Sequence, residues 1–88
     1  MSLQLKRTLN EKKFPKWIGL PDGGRRYWYE IKGKFGFTAR YVKEVDKDEE
    51  TIRFYQEIYD PTGSIREVHE KYPIDLGHWR IKDKPEGV

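Results

Sequence analysis

The sequence predicts a small α+β domain: an antiparallel meander of four or five strands with a short N-terminal helix or arm. In several segments hydrophobic and polar side chains alternate, which is the period of a half-buried strand. Strong turn signals separate these segments. Three Trp, six Tyr and four Phe supply core material. Because 88 residues make one domain at most, we expect a single unit over 1–88.

We divide this unit into an N-terminal arm (1–24), a sheet (25–82) and a loose tail (83–88). Within the arm, Thr8-Leu9-Asn10-Glu11 has the form of a capping box, which predicts a helix of one or two turns. That helix must end before Pro15. The hydrophobic residues at 14–20 are expected to lie across the sheet, before a turn at 21–24.

Two strands joined by a tight hairpin are predicted next, over 25–32 and 35–44. In the first strand, one face is predicted to hold Tyr27, Tyr29 and Ile31, and the other Trp28, Glu30 and Lys32. In the second strand, one face is predicted to hold Phe35, Phe37, Ala39 and Tyr41.

A solvated loop at 46–50 is predicted to lead into a third strand over 51–59, with Ile52, Phe54 and Ile58 facing inward. Asp60-Pro61-Thr62-Gly63 then predicts a β-hairpin. The spacing of Ile65, Val68 and Tyr72 within 64–72 also fits a helix, but the hairpin requires a strand there. We expect a bulge in this strand near Glu67. A turn at 74–77 and a short strand at 78–82 complete the sheet.

Composition excludes several classes of protein. The chain has no Cys, so it forms no disulfide, thiolate zinc site or cysteine nucleophile. It has no apolar run of 18 residues and no signal peptide, which predicts a cytoplasmic protein without membrane contact. Phosphate-loop and dinucleotide fingerprints are missing too, so we expect no cofactor.

Charge is unevenly distributed along the chain. Residues 1–43 carry a net charge of +8 and residues 44–88 carry −5. A basic first half suggests a polyanion or an acidic protein as partner. Alternatively, the two halves form neighbouring antiparallel strands whose charges pair across the sheet and cancel locally.

Basic and aromatic residues alternate on the first strand pair. Such surfaces bind single-stranded nucleic acid, because phosphates contact Lys and Arg while bases stack on rings. The candidate binding residues are Arg25, Arg26, Trp28, Lys32, Lys34 and Arg40. Trp28 is the stacking candidate, since it points away from Tyr27 and Tyr29. The stretch Lys32–Phe37 resembles the Lys-Gly-Phe-Gly-Phe motif of cold-shock and RNA-recognition domains, with Lys34 inserted.

Other functions remain open at this point. The alternative to nucleic-acid binding is a structural or protein-interaction domain that homodimerises through its aromatic sheet face. Glu67, His69, Asp75 and His78 are candidates for a metal site or a nuclease centre, but their spacing does not require one. We therefore favour a binding module over an enzyme and assign no catalytic residue and no metal ligand.

The C-terminal part carries a resemblance to known proteins. The stretch 58–65, the pair Tyr72-Pro73 and His78 resemble small prokaryotic proteins of unknown function, and TumE-type toxins of toxin–antitoxin pairs in particular. Those toxins carry a hairpin with an Asp-x-x-Gly turn ahead of an aromatic-Pro and His ending. The resemblance implies a toxin that acts on nucleic acid, with an antitoxin as partner.

Overall fold

A computed structural model describes residues 1–74 and the backbone of residues 77–80. Its elements are α1 (Leu3–Lys13), β1 (Lys16–Gly19), β2 (Arg25–Lys32), β3 (Thr38–Val45), β4 (Thr51–Tyr59), β5 (Ile65–Tyr72) and β6 (Gly77–Arg80). The strands form one antiparallel sheet in the order β1-β2-β3-β4-β5-β6. The predicted α+β class and meander are confirmed. Residues 75–76 of the expected turn, residues 81–82 and the tail 83–88 lie outside the described residues.

The N-terminal helix begins earlier than the capping box predicted. Ser2 is the N-cap, and its Oγ accepts a hydrogen bond from the Leu5 amide at 3.1 Å. Thr8 lies inside the helix instead, where its hydroxyl donates to the Gln4 carbonyl. Residues 16–19 do not cross the sheet but pair with β2 as an additional edge strand. Within the described residues, no helix has the length and hydrophobicity that crossing a bilayer requires.

The hairpin between β2 and β3 differs from the prediction. A 3-10 turn over Lys34–Gly36 connects the strands, and β3 begins only at Thr38. Phe35 lies in this turn with φ 59° and is 88% exposed, so its assignment to a strand face shared with Ala39 and Tyr41 was wrong. The Gly33 amide bonds to the Phe37 carbonyl, which closes the loop before strand pairing begins.

The hairpin between β4 and β5 is confirmed. The Gly63 amide donates to the Asp60 carbonyl at 2.9 Å, and Gly63 adopts φ 87°, which favours glycine. The segment after it is a strand rather than a helix. Ile58 pairs with Glu67 whereas Tyr59 pairs with Ile65, so the bulge lies one residue before Glu67.

A second bulge places Ile52 where the alternation did not predict it. Glu44 pairs with Arg53, but Val45 pairs with Thr51, so Ile52 is the extra residue. Its side chain is 47% exposed, and the prediction that it faces inward was wrong. Phe54, two residues later, does pack against the core as predicted.

The core cluster lies on the face of the sheet toward the end of α1, called here the helix face. Phe14, which follows the helix, is 1% exposed and packs against Tyr27 and Val45, both fully buried. Its ring lies 5.8 Å from the Tyr27 ring and 5.5 Å from the Tyr29 ring, both tilted. Phe14 thus joins the end of the helix to the centre of the sheet.

A buried polar cluster, called here the Glu49 network, ties the β3–β4 loop to the helix. Glu49 was expected in a solvated loop, but it is only 5% exposed. Its Oε2 accepts hydrogen bonds from the Tyr27 hydroxyl at 2.7 Å and from Asn10 Nδ2 at 2.8 Å. Burial, followed by the bond to Glu49, raises the pKa of Tyr27 to about 12.

Candidate functional site

The face of the sheet opposite α1, called here the open face, carries most of the predicted binding residues. Residues paired across antiparallel strands share a face, so the strand register defines rows that run across the sheet. Row 1 is Ile18, Arg26, Glu44 and Arg53; row 2 is Lys16, Trp28, Val42, Tyr55 and Glu70. Row 3 is Glu30, Arg40, Glu57 and Val68; row 4 is Lys32, Thr38, Tyr59 and Ile65.

Charges of opposite sign alternate within rows 1 and 3. Arg26 Nε donates to Glu44 Oε2 at 2.7 Å in row 1, and Arg40 Nη2 donates to Glu30 Oε2 at 3.2 Å in row 3. Arg53 binds Glu70 with two parallel hydrogen bonds. Of these pairs, Arg26–Glu44 joins the basic first half of the chain to the acidic second half, whereas the other two each lie within one half. The four rows hold five basic and four acidic side chains, so their net charge is close to neutral.

In each of two ion pairs on the open face, the pKa of one member is shifted by its partner. The hydrogen bond to Glu44 raises the pKa of Arg26. The hydrogen bond from Arg40 lowers the pKa of Glu30, and Lys16 adds to the effect from 3.4 Å away. Both shifts favour the charged form, of Arg26 in one pair and of Glu30 in the other.

An apolar strip occupies the middle of the open face. Val42 is 2% exposed and Tyr55 is 8% exposed, although α1 lies on the other side of the sheet. Together with Trp28 they line a shallow hollow of about 250 Å³. Burial raises the pKa of the Tyr55 hydroxyl. The strip is therefore a concave apolar surface bordered by rows of paired charges.

A second hollow continues the first toward the β2–β3 turn. Its volume is about 290 Å³, and it shares Arg40 and Tyr59 with the first hollow. The Arg40 guanidinium lies 4.9 Å from the Tyr59 ring centre. Burial raises the pKa of Tyr59 to about 12, aided by its 2.9 Å hydrogen bond to Glu57. The two hollows form one groove along the open face.

Four of the six predicted binding residues lie together on the open face: Arg26, Trp28, Lys32 and Arg40. Arg25 lies on the helix face, where its guanidinium is 3.7 Å from the Trp17 ring centre and bonds to Glu11 at 2.7 Å. Lys34 lies in the 3-10 turn. The same alternation along β2 thus places Arg26 and Trp28 on the open face and Arg25 and Tyr27 on the helix face.

The sequence-based site left out the side chains that complete the groove. Val42, Tyr55 and Tyr59 belong to it, and two of them come from β4 rather than from the basic strand pair. The alternation that was predicted to turn Phe54 and Ile58 inward places Tyr55 and Tyr59 on the opposite face of β4. The missing step was the register, which brings Tyr55 directly opposite Val42 and Tyr59 opposite Thr38.

The candidate histidine centre lies only partly within the described residues. His69 on β5 is opposite His78 on β6 in the strand register, and Asp75 lies outside the described residues. In the described part of the chain, no three His, Asp or Glu side chains are grouped as a metal site requires. The nuclease hypothesis stays a prediction.

Comparison with protein-family models, curated proteins and solved structures finds no match for this chain. The resemblance to TumE-type toxins therefore stays a prediction.

Proposed function

We propose that this protein is an interaction module whose open face binds the open face of a second copy. The observation that carries the proposal is the sign pattern of rows 1 and 3. Row 1 reads plus, minus, plus from β2 to β4, and row 3 reads minus, plus, minus. When a second copy is related to the first by a two-fold axis that runs along row 2, the charges of row 1 in one copy face the opposite charges of row 3 in the other.

In that arrangement row 1 of each copy lies over row 3 of the other, and row 2 lies over itself. Arg26, Glu44 and Arg53 of one copy then face Glu30, Arg40 and Glu57 of the second, each opposite in sign. The apolar strip around Val42 meets its own equivalent, as in an isologous interface. Like charges meet where row 2 ends: at Lys16, whose side chain is 59% exposed so that solvent screens it, and at Glu70, which is 9% exposed and stays bonded to Arg53 of its own copy.

The composition of the face supports a protein ligand. Arg, Tyr and Trp are the residue types that dominate binding energy at protein interfaces. Four strands and four rows span about 500 Å² per copy at ordinary strand and residue spacings. That area is at the small end for specific complexes, so we expect a micromolar dimer rather than an obligate one.

The test is sedimentation velocity across roughly 5–500 µM, where the wild-type chain should pass from monomer to dimer. The charge reversals Arg40→Glu and Glu44→Arg should each weaken self-association at least tenfold. An equimolar mixture of the two variants should associate again, because the new carboxylate at position 40 of one faces the new guanidinium at position 44 of the other. Lys47→Glu, outside the open face, is the matched control.

A wild-type chain that stays monomeric over the whole range would reject the proposal without any variant. So would a mixture of the two reversals that associates no better than either alone. Equal effects of Lys47→Glu and Arg40→Glu on self-association would mean that the copies do not associate through the open face.

A second candidate, single-stranded nucleic acid, is favoured by the β2–β3 turn. Phe35 is 88% exposed with φ 59°, and residues held in this region often serve a function. Lys32 and Lys34 have no carboxylate at salt-bridge distance in the described part of the chain. The groove runs from this turn past Arg40 toward Trp28.

We expect labelled single-stranded RNA and DNA to bind at low salt, as measured by fluorescence anisotropy. Lys32→Ala combined with Lys34→Ala should reduce the salt slope by about two, because two phosphate contacts are lost. Phe35→Ala should weaken binding by about 1–3 kcal/mol through the loss of stacking. If neither nucleic acid binds at low salt, this second candidate is rejected.

A further inference from the structure

A separate hollow lies on the helix face, between the end of α1 and the strands β3 and β4. Its volume is about 510 Å³, within the range of roughly 300–1,000 Å³ that small-molecule sites occupy. Its lining combines rings, ammonium groups, hydroxyls and one carboxylate: Lys13, Phe14, Lys43, Glu50, Thr51, Phe54 and Tyr72. None of these side chains belongs to the open face, so this hollow is independent of the proposed dimer interface.

The base of this hollow holds a lysine without an acidic partner. Lys43 lies on β3 between Tyr27 and Phe54 in the strand register, and its Nζ donates to Asn10 Oδ1 at 2.9 Å. No carboxylate of the described residues is at salt-bridge distance from Lys43 or from Lys13. Burial lowers the pKa of Lys43, and the nearby charge of Lys13 lowers it further.

The acidic groups around the hollow already have partners. Glu50 on its rim binds Lys6 at 2.7 Å, and its side chain is 66% exposed. Glu49 attracts Lys43 at longer range, but its Oε2 is bonded to Tyr27 and Asn10. Two ammonium groups thus line the same hollow, and the one carboxylate in its lining, that of Glu50, is paired with Lys6, which favours an anion there.

The remaining walls are apolar. Phe14 is 1% exposed, Phe54 packs against the core, and Tyr72 is 46% exposed at the rim. The Lys13 ammonium lies 5.8 Å from the centre of the Phe14 ring. A ligand that carries charge at one end and a flat apolar body at the other matches this arrangement.

We propose that this hollow binds a small aromatic carboxylate, with the carboxylate between Lys13 and Lys43 and the ring against Phe54 and Tyr72. The Thr51 hydroxyl is a further donor for the carboxylate. An anion in this position lowers the repulsion between the two ammonium groups. Its binding must therefore raise the pKa of Lys43, because ligand and proton affinities are thermodynamically linked.

Benzoate is the probe, and benzamide, which has the same ring but no charge, is its control. At the usual efficiency of small ligands, nine heavy atoms predict a Kd of about 1–10 mM. Titration of the full chain followed by NMR should show saturable shifts around the hollow, with benzamide at least tenfold weaker. The Lys43 Nζ resonance should titrate at higher pH when benzoate is bound.

The matched variants replace one lysine by methionine, whose side chain has a similar length but carries no charge. Lys43→Met should weaken benzoate binding at least tenfold and Lys13→Met about threefold, whereas Lys47→Met in the β3–β4 loop should leave it unchanged. Equal affinities for benzoate and benzamide would overturn the proposal, and so would the absence of saturable shifts. Both of these measurements use the wild-type chain, so they stand even if Lys43→Met unfolds the protein.

Discussion

Replacement of Phe14 by alanine is expected to destabilise the protein by about 3–5 kcal/mol, the usual cost of removing a buried phenylalanine ring. Phe14 is 1% exposed and contacts the rings of Tyr27 and Tyr29 as well as Val45. It is also the residue that joins α1 to the sheet, so little of the cavity can close by a local shift. A small domain has only about 5–15 kcal/mol in total, so this loss brings it close to unfolding.

Urea denaturation followed by tryptophan fluorescence measures the effect, together with a fall in Tm of about 15 °C or more. Phe35→Ala is the matched control, because it deletes the same ring at a position that is 88% exposed. That variant should change the free energy of unfolding by about 0.5 kcal/mol or less. Equal losses in the two variants would mean that α1 does not cover the sheet through Phe14.

The sheet was predictable because its signals are local and consistent with one another. Period-2 alternation located β2, most of β3, and β4, and the Asp60–Gly63 turn required an antiparallel neighbour after it. That requirement resolved the stretch at 65–72, whose spacing also fits a helix. Consecutive antiparallel strands then form a meander, since short connections leave little other choice.

Two errors in the fold arise where alternation is interrupted by backbone geometry. Phe35 continues the alternation in sequence but has a positive φ, so the strand cannot include it. Ile52 is displaced by a bulge whose position depends on the partner strand. Bulges and turn geometry are set by pairing between distant residues, and a single sequence does not show that pairing.

Part of the candidate site was also predictable from the local alternation of side chains. Alternation correctly separated Trp28 from Tyr27. Of the ion pairs on the open face, Arg26–Glu44 joins the two halves of the chain, whereas Arg40–Glu30 lies within the basic half. The self-complementary pattern of rows 1 and 3 needs the register of three strands, which only the structure supplies. The hollow around Lys43 needs the position of α1 on the sheet, which no local pattern encodes.

The Glu49 network was not predicted from the sequence. Its removal is expected to lower the free energy of unfolding by as much as the removal of the Phe14 ring. Glu49→Ala deletes the acceptor of both Tyr27 and Asn10, and leaves Arg7, now 3.6 Å from Glu49, without its counter-charge. Removing one member of a buried charged cluster typically costs about 3–5 kcal/mol. Its neighbour Glu50 belongs to the same acidic run in the sequence, yet its side chain is 66% exposed.

Urea denaturation of Glu49→Ala and Glu50→Ala at neutral pH compares adjacent carboxylates that differ in burial. Only Glu49→Ala should lower the midpoint clearly, because an exposed ion pair with Lys6 contributes little. Glu49→Gly should be less harmful than Glu49→Ala by about 1–2 kcal/mol, since Glu49 has φ 62° and glycine adopts that conformation without strain. If both carboxylates prove equally dispensable, the buried network does not hold the loop. If alanine and glycine are equivalent at position 49, the loop does not keep its left-handed residue.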